Sequence, residues 1–324
     1  NNLRLVKSAL EYDEVTSGRL DANSTEDREL SNSFKIITDN FSGIKNTLSY
    51  NKTKIKRSTL NYNETIRSNY NGNRDSINLL GEYNVNLGNK IIYGLDNDFD
   101  TAKYNTWATN GDKKTGEKTY GQYFDYHFRP LEKIHTTLGA RRDHHTTAGT
   151  YKTYRITGAY KFNLDSKFRT SFGTGIRFPS LNDLYYDTNV KNPTDLKPEK
   201  SKSFDIGLDK DFKEQNLKFS LTLFKVQYKD SLSNWASNTD GGNNTSGYTI
   251  QNSGGEIYSR GLEFFSNYQP KKDLSYNLNY TYTDAYDGED CDDPAYNCTV
   301  SAYPVRVPKH SLGLKISKKF NNNI

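Results

Sequence analysis

Apolar and polar residues alternate along this chain in short runs with a period of two. Leu274, Tyr276, Leu278, Tyr280 and Tyr282 fall on one face of an extended segment, and Ser275, Asn277, Asn279, Thr281 and Thr283 on the other. Successive side chains of a strand point to opposite faces, so this run is a strand that is greasy on one side and wet on the other. The same pattern marks 91–95, 120–128, 154–162, 168–176, 204–208, 217–223, 262–268 and 312–316. With weaker, more polar runs over about 3–12, 31–41, 44–60 and 65–85, about fourteen strands are predicted. One run changes phase: 217–223 is apolar at odd positions, and Phe224, Val226 and Tyr228 then take the even ones. A bulge, or a strand emerging from its apolar surroundings, would produce this.

The connections also follow a pattern. Residues 129–133, 163–166, 213–216 and 269–273 join strands tightly, whereas about 100–117, 179–200, 229–247 and 284–304 are long and rich in Asn, Asp, Gly, Thr and Tyr. In an up-and-down antiparallel sheet, every second connection lies at the same end. One end is therefore trimmed and the other elaborated. A soluble sandwich has no reason to segregate loop length in this way. An outer-membrane barrel does, with short periplasmic turns and long extracellular loops. Phe128, Tyr160, Phe162, Phe212 and Tyr268 each stand just before a short turn. Rings recurring at one end suit an interfacial girdle, and cross-strand aromatic packing is the alternative.

Composition reinforces the membrane reading. Of 324 residues only 33% are hydrophobic, and the mean hydropathy is -0.92. No run approaches the roughly 20 apolar residues of a spanning helix. Such polarity alone would suggest disorder, but 25 Tyr and 16 Phe, placed in a pattern, oppose that. A barrel with an apolar exterior and a polar interior satisfies both facts. The predicted class is thus all-β, an antiparallel transmembrane β-barrel. The net charge of +5 is spread along the chain without a dense basic block, which argues against a nucleic-acid partner. Asn1-Asn2-Leu3-Arg4 already reads as strand, so a mature piece or internal segment of an exported protein is expected. Cys291 and Cys298 lie in an Asp- and Gly-rich stretch without a nearby His, which disfavours zinc. A small disulfide loop and two free thiols both remain open.

Two stretches carry a family resemblance. The first is Phe172-Gly173-Thr174-Gly175-Ile176-Arg177-Phe178-Pro179-Ser180-Leu181-Asn182-Asp183-Leu184-Tyr185, followed by Asn192-Pro193-Thr194-Asp195-Leu196-Lys197-Pro198-Glu199-Lys200-Ser201. The second runs from Asn252-Ser253-Gly254 to Arg260-Gly261-Leu262-Glu263. In this order and spacing they closely resemble the barrel of TonB-dependent outer-membrane receptors. Physical roles accompany the likeness. Pro179 and Pro198 lack an amide hydrogen and mark where ladder pairing stops and resumes. Glu199 and Ser201 are placed to bond free backbone amides at the re-entry point, and Gly261 allows a bend or a close approach.

The resemblance implies a barrel of about 22 strands, of which residues 1–324 would be a partial barrel domain, with the plug and the C-terminal strands absent. Within the family the layout is most similar to the cobalamin receptors. Leu10-Glu11-Tyr12-Asp13 matches a strand end at which, by that resemblance, Tyr12 contacts the corrinoid and Asp13 holds calcium. Asp21, Glu26 and Asp27 offer further oxygen ligands, a solvated acidic loop being the alternative. The expected function is energised import of a large scarce nutrient across the outer membrane of a Gram-negative bacterium. Its partners would be membrane lipid, the TonB energy-transducing complex through the plug, and cobalamin. A ferric siderophore is the alternative cargo, for which Lys191, Lys197 and Lys200 would matter.

Tyr-rich loops supply flat, partly apolar surface with hydroxyls. The candidate cargo contacts are Tyr12, Tyr185, Tyr186, Trp235, Tyr248 and Tyr286, and the candidate calcium ligands Asp13 and Asp21. A passive porin is the rival from another class. An enzyme is not expected: the few His are His127, His135, the pair His144-His145 and His310, and none accompanies a G-x-S-x-G. His144 and His145 are expected at a solvated loop tip.

Overall fold

The computed structural model describes residues 2–16, 19–41, 43–60, 66–106, 113–185, 196–233, 251–252, 257–287 and 307–320. Fourteen strands form one continuous antiparallel sheet in which each strand pairs with its sequence neighbours. They are β1 Asn2–Thr16, β2 Arg19–Phe41, β3 Ile44–Leu60, β4 Ile66–Asn86, β5 Asn89–Thr106, β6 Lys113–Leu131, β7 Ile134–His145, β8 Gly149–Asn163, β9 Ser166–Arg177, β10 Glu199–Phe212, β11 Leu217–Lys229, β14 Ile257–Lys271, β15 Leu274–Asp287 and β16 His310–Lys318. The remaining elements sit in the connections: a short helix α1, Leu181–Tyr185, and a two-residue ladder of β12, Leu232–Ser233, with β13, Gln251–Asn252.

Register assigns the faces. Leu138, Ile156, Phe172 and Phe204 are direct partners across β7, β8, β9 and β10, and Phe264, Tyr280 and Leu312 across β14, β15 and β16. These apolar rows do not meet another layer. Phe124, Ile156, Phe204, Leu223, Leu312 and Ile316 are all exposed, whereas the buried hydrophobic side chains among the described residues are Ala102, Tyr104, Leu184 and Leu196. A water-soluble sheet of this size would cover its apolar face; one that leaves it bare is built for hydrocarbon. The opposite face is polar. There Arg57 pairs with Asp27 at 2.7 Å, Arg74 with Asp100 at 2.6 Å and Arg169 with Asp209 at 3.4 Å, while Arg141 bridges Asp96 at 2.6 Å and Asp143 at 2.7 Å. A cleft on this face is lined jointly by β3, β6 and the segment after β9, so the charged face is the inside of the curve. Among the described residues the ribbon is open, because β1 and β16 each pair with a single neighbour.

At one end every turn is tight: 42–43, 87–88, 132–133, 164–165, 213–216 and 272–273. Gly43, Gly88 and Asn216 take positive φ there, the conformation such turns demand. Pro130 and Pro270 fall where the ladder register shifts, between Phe128 and Leu131 and between Tyr268 and Lys271. Those are positions where a missing donor breaks nothing. The turn-end rings stack in pairs, Tyr126 with Phe128 at 5.0 Å, Phe212 with Phe219 at 5.8 Å and Tyr268 with Tyr276 at 6.2 Å, which is the aromatic packing given as the alternative.

Two expectations need correction. Residues 100–117 are not a long loop: β5 runs to Thr106 and β6 starts at Lys113, so this elaboration is largely a strand hairpin. Beyond the apolar band both faces of a strand meet water, and alternation disappears although pairing continues. The phase change near Phe224 involves no bulge, since β11 pairs without a register shift with both β10 and β14. Phe224 and Val226 simply belong to the charged face.

Candidate binding site at the loop end of the charged face

The segment after β9 is built to be anchored. Ser180 caps α1, with its Oγ accepting from the Asp183 N–H at 3.2 Å while Asp183 accepts the Ser180 N–H at 2.7 Å, a reciprocal box at a helix start. Leu184 and Leu196 are buried against each other, with Tyr185 and Leu232 packed on them. The prolines bound the loop as expected, for β9 ends at Arg177, β10 begins at Glu199, and these two residues are ladder partners. Arg177 grips Glu199 through two hydrogen bonds, at 2.5 and 2.6 Å. Glu199 Oε1 also accepts the Leu232 N–H at 2.8 Å, the backbone-amide role predicted for it. No such bond is seen for Ser201 among the described residues; its hydroxyl lies against Gly175.

Asn252 joins the two family stretches. Its Oδ1 accepts the Lys197 N–H at 2.7 Å, and its Nδ2 donates to the Lys197 carbonyl at 2.8 Å and to the Asp230 carbonyl at 2.7 Å. A side-chain amide satisfying a backbone N–H and two carbonyls replaces strand pairing where the ladder has ended. Gly261 has the close approach predicted for it. A Cβ there would lie 1.9 Å from the Tyr282 carbonyl oxygen and 3.0 Å from Phe224.

Beneath α1 lies a buried polar cluster. Glu117 accepts hydrogen bonds from the hydroxyls of Thr146, Thr147 and Tyr185, that from Thr147 at 2.6 Å. Burial pushes its pKa up, but the three hydroxyls outweigh burial and hold the carboxyl below the ordinary glutamate value. His145 stands 3.8 Å away. Its Nδ1 accepts the backbone N–H of Thr147 at 3.3 Å and of Ala148 at 3.1 Å, which puts the ring proton on Nε2. Burial lowers its pKa, so the ring is neutral beside a carboxylate. Phe178 stacks on His145 at 4.9 Å. A cleft of about 1150 Å³ opens beside this cluster, lined by Arg57, Arg74, Asp100, Glu117, Arg177 and Phe178 among others.

The predicted contacts are distributed unevenly around it. Tyr185 is part of the site through its bond to Glu117. Tyr286 stacks on Tyr258 at 5.5 Å and shares the face of Leu262 and Tyr282, opposite the cleft. Tyr12 pairs in register with Asn23, Asp13 with Ala22, and Asp21 with Glu14 in the β1–β2 hairpin, and their side chains lie outside the described residues. Tyr186, Trp235, Tyr248, Lys191 and both cysteines lie there too. Asp27 is engaged by Arg57 rather than left free, and among the described residues no group of three His, Cys, Asp or Glu is arranged to hold a metal. His144 and His145 are not a solvated tip. They end β7 on opposite faces, His144 beside Thr150 and Tyr120 and His145 buried, because consecutive strand residues alternate. Glu117 and Thr147 carried no signal in sequence, and His145 was read only as half of a solvated pair. Glu117 falls in the stretch expected as loop, and one buried carboxylate resembles any solvated one until its partners are known.

The profile described as TonB dependent receptor-like, beta-barrel matches residues 5–322. Vitamin B12 transporter BtuB of Photobacterium profundum is 32% identical over 147 residues, which cover 45% of this chain and 23% of that protein. Its counterpart in Vibrio vulnificus is 30% identical over 142 residues, 42% of this chain and 22% of that protein. Among solved structures, the siderophore receptor PirA from Acinetobacter baumannii superposes with a TM-score of 0.71 at 15% identity, covering 93% of this chain and 49% of that one. The alcaligin outer membrane receptor FauA from Bordetella pertussis gives 0.65 at 16% identity, covering 99% and 54%. This chain thus spans about half of the solved receptors it resembles, and those likenesses show its fold.

Proposed function

Because this chain belongs to the TonB-dependent receptor-like β-barrel family, we propose that the protein is an energised importer whose external loops capture cobalamin. Barrels of this family lie in the outer membrane of Gram-negative bacteria, with the apolar face in lipid and the charged face around a watery lumen. One observation supports a receptor over a simple pore. The described ends of the connections after β9 and β11 are fastened to one another by Asn252 and to the barrel by Arg177 and Glu199, forming an apron beside the cleft. Diffusion alone would not require such fastening. Cobalamin as cargo draws support from the vitamin B12 transporters among the relatives.

On this reading the open edges of the ribbon are closed by further strands of the whole protein. A plug fills the lumen, and the energy-transducing partner acts through it. Calcium orders the tip of the β1–β2 hairpin with Asp13 and Asp21 among its ligands, and Tyr12 contacts the cargo. Lys200, one of the cations a siderophore would use, lies 2.7 Å from Asp230 in a half-exposed ion pair. Equilibrium binding to the full-length protein tests the proposal. Saturable binding of cyanocobalamin, weakened by a calcium chelator and by Asp13→Asn or Asp21→Asn, is expected. Tight binding of a ferric siderophore with none of cyanocobalamin would overturn the cargo assignment.

A further inference from the structure

One cluster of cations on the apolar face is answered less fully than the arginines of the charged face, although elsewhere on that apolar face Lys52 meets Asp75 and Lys200 meets Asp230, both at 2.7 Å. On the charged face Arg57, Arg74, Arg141, Arg155, Arg169 and Arg177 each meet a carboxylate oxygen at 2.5 to 3.6 Å. On the apolar face, toward the loop end, Lys225 of β11 lies directly opposite Arg260 of β14. Lys202 of β10 lies two residues beyond Phe204, the other direct partner of Lys225. All three are exposed. Like charges set opposite one another destabilise a sheet, yet the only carboxylate that answers this trio among the described residues is Asp284, 2.9 Å from Arg260. Arg142 and Lys152 repeat the arrangement on β7 and β8, directly opposed and exposed on the same face.

What lies beneath the trio indicates what neutralises it. An apolar groove of about 600 Å³ runs between Phe204, Ile206, Leu223 and Leu262, with Lys225, Arg260 and its partner Asp284 at its rim. Lys225 stands about eight residues from the turn end of β11; at a rise of ~3.3 Å and a tilt of ~40° that is roughly 20 Å, near the top of an apolar band about 25 Å tall. Cations at that level meet headgroups, and the groove below meets acyl chains. A soluble anion would have no use for the groove.

We propose that Lys202, Lys225 and Arg260 form a binding site for a phosphate-bearing lipid of the outer leaflet, with the phosphate among the three cations and an acyl chain in the groove. Arg260 supplies the forked donor that suits phosphate, and the lysines supply charge. The site rests on the outward orientation of this face and is independent of the cargo.

Native mass spectrometry of the full-length receptor, delipidated in detergent, tests this. The probes are bis-phosphorylated lipid A, the same lipid with both phosphates removed, and inorganic phosphate alone. A tight single-lipid adduct is expected with the phosphorylated lipid only. The triple variant Lys202→Gln, Lys225→Gln, Arg260→Gln should lower its occupancy by about tenfold or more, as expected for lost charged hydrogen bonds. Lys133→Gln, Lys271→Gln, Lys272→Gln removes equal charge at the turn end and should leave the adduct intact. Unchanged occupancy in the first variant, equal loss in the second, or inorganic phosphate held as tightly as the lipid would each overturn the site. If the triple variant loses the heat-modifiable mobility of a folded barrel, Lys225→Gln alone carries the same reading, and an unchanged adduct there overturns it.

Discussion

Single residues decide how the loop apron is held. Asn252 makes three backbone hydrogen bonds to two separate segments. Each is worth about 1 kcal/mol net, and more if a partner is left buried and unpaired. Asn252→Ala in the full-length protein should therefore speed proteolytic cleavage within 230–256 without unfolding the barrel, as limited proteolysis beside heat-modified mobility would show. Glu199 adds a pH dependence. Its hydrogen bonds to Arg177 hold its pKa below the ordinary 4.5, against the raising effect of burial. A lowered carboxylate stabilises the fold above its unfolded pKa and loses that contribution as pH falls through its folded value. The apron should accordingly loosen below about pH 4.5, and Glu199→Gln should remove that acid-induced change in hydrogen exchange of the Leu232 amide. The sequence announced the roles of Pro179, Pro198, Gly261 and Glu199, because each follows from a backbone constraint intrinsic to the residue. It could not announce the grip of Asn252 on Lys197, since nothing local says which of many Asn finds a broken ladder to mend.

Whole elements were legible where a membrane had written on them. From β6 to β16 the strands alternate because one face must be apolar over the band of lipid. From β1 to β5 they overrun that band, β2 extending from Arg19 to Phe41, and water on both sides of the overrun leaves composition as the only clue. No helix was expected at α1, because five residues are too short to show periodicity. The helix is held by Leu184, which is 1% exposed. Leu184→Ala should cost about 2–5 kcal/mol of local stability and detach α1 from Glu117. A loss of hydrogen-exchange protection at α1 and the β7–β8 turn, with strands β7 to β11 unchanged, would verify this.

Across the whole molecule, the open ribbon exposes two unpaired edges. The apolar side chains there stay bare, Leu5 at 74% and Leu312 at 72% exposure. Unpaired edges template association, so residues 1–324 produced alone should elute as large aggregates from size exclusion, where the full-length receptor in detergent elutes as one species. The charged face has a different consequence. Its paired arginines are satisfied by carboxylates on the same strand or one or two strands away, so the wall is polar without being hungry. On the import reading, a body sliding past it, whether peptide or solute, would find many brief footholds, and the lining would work as a bearing.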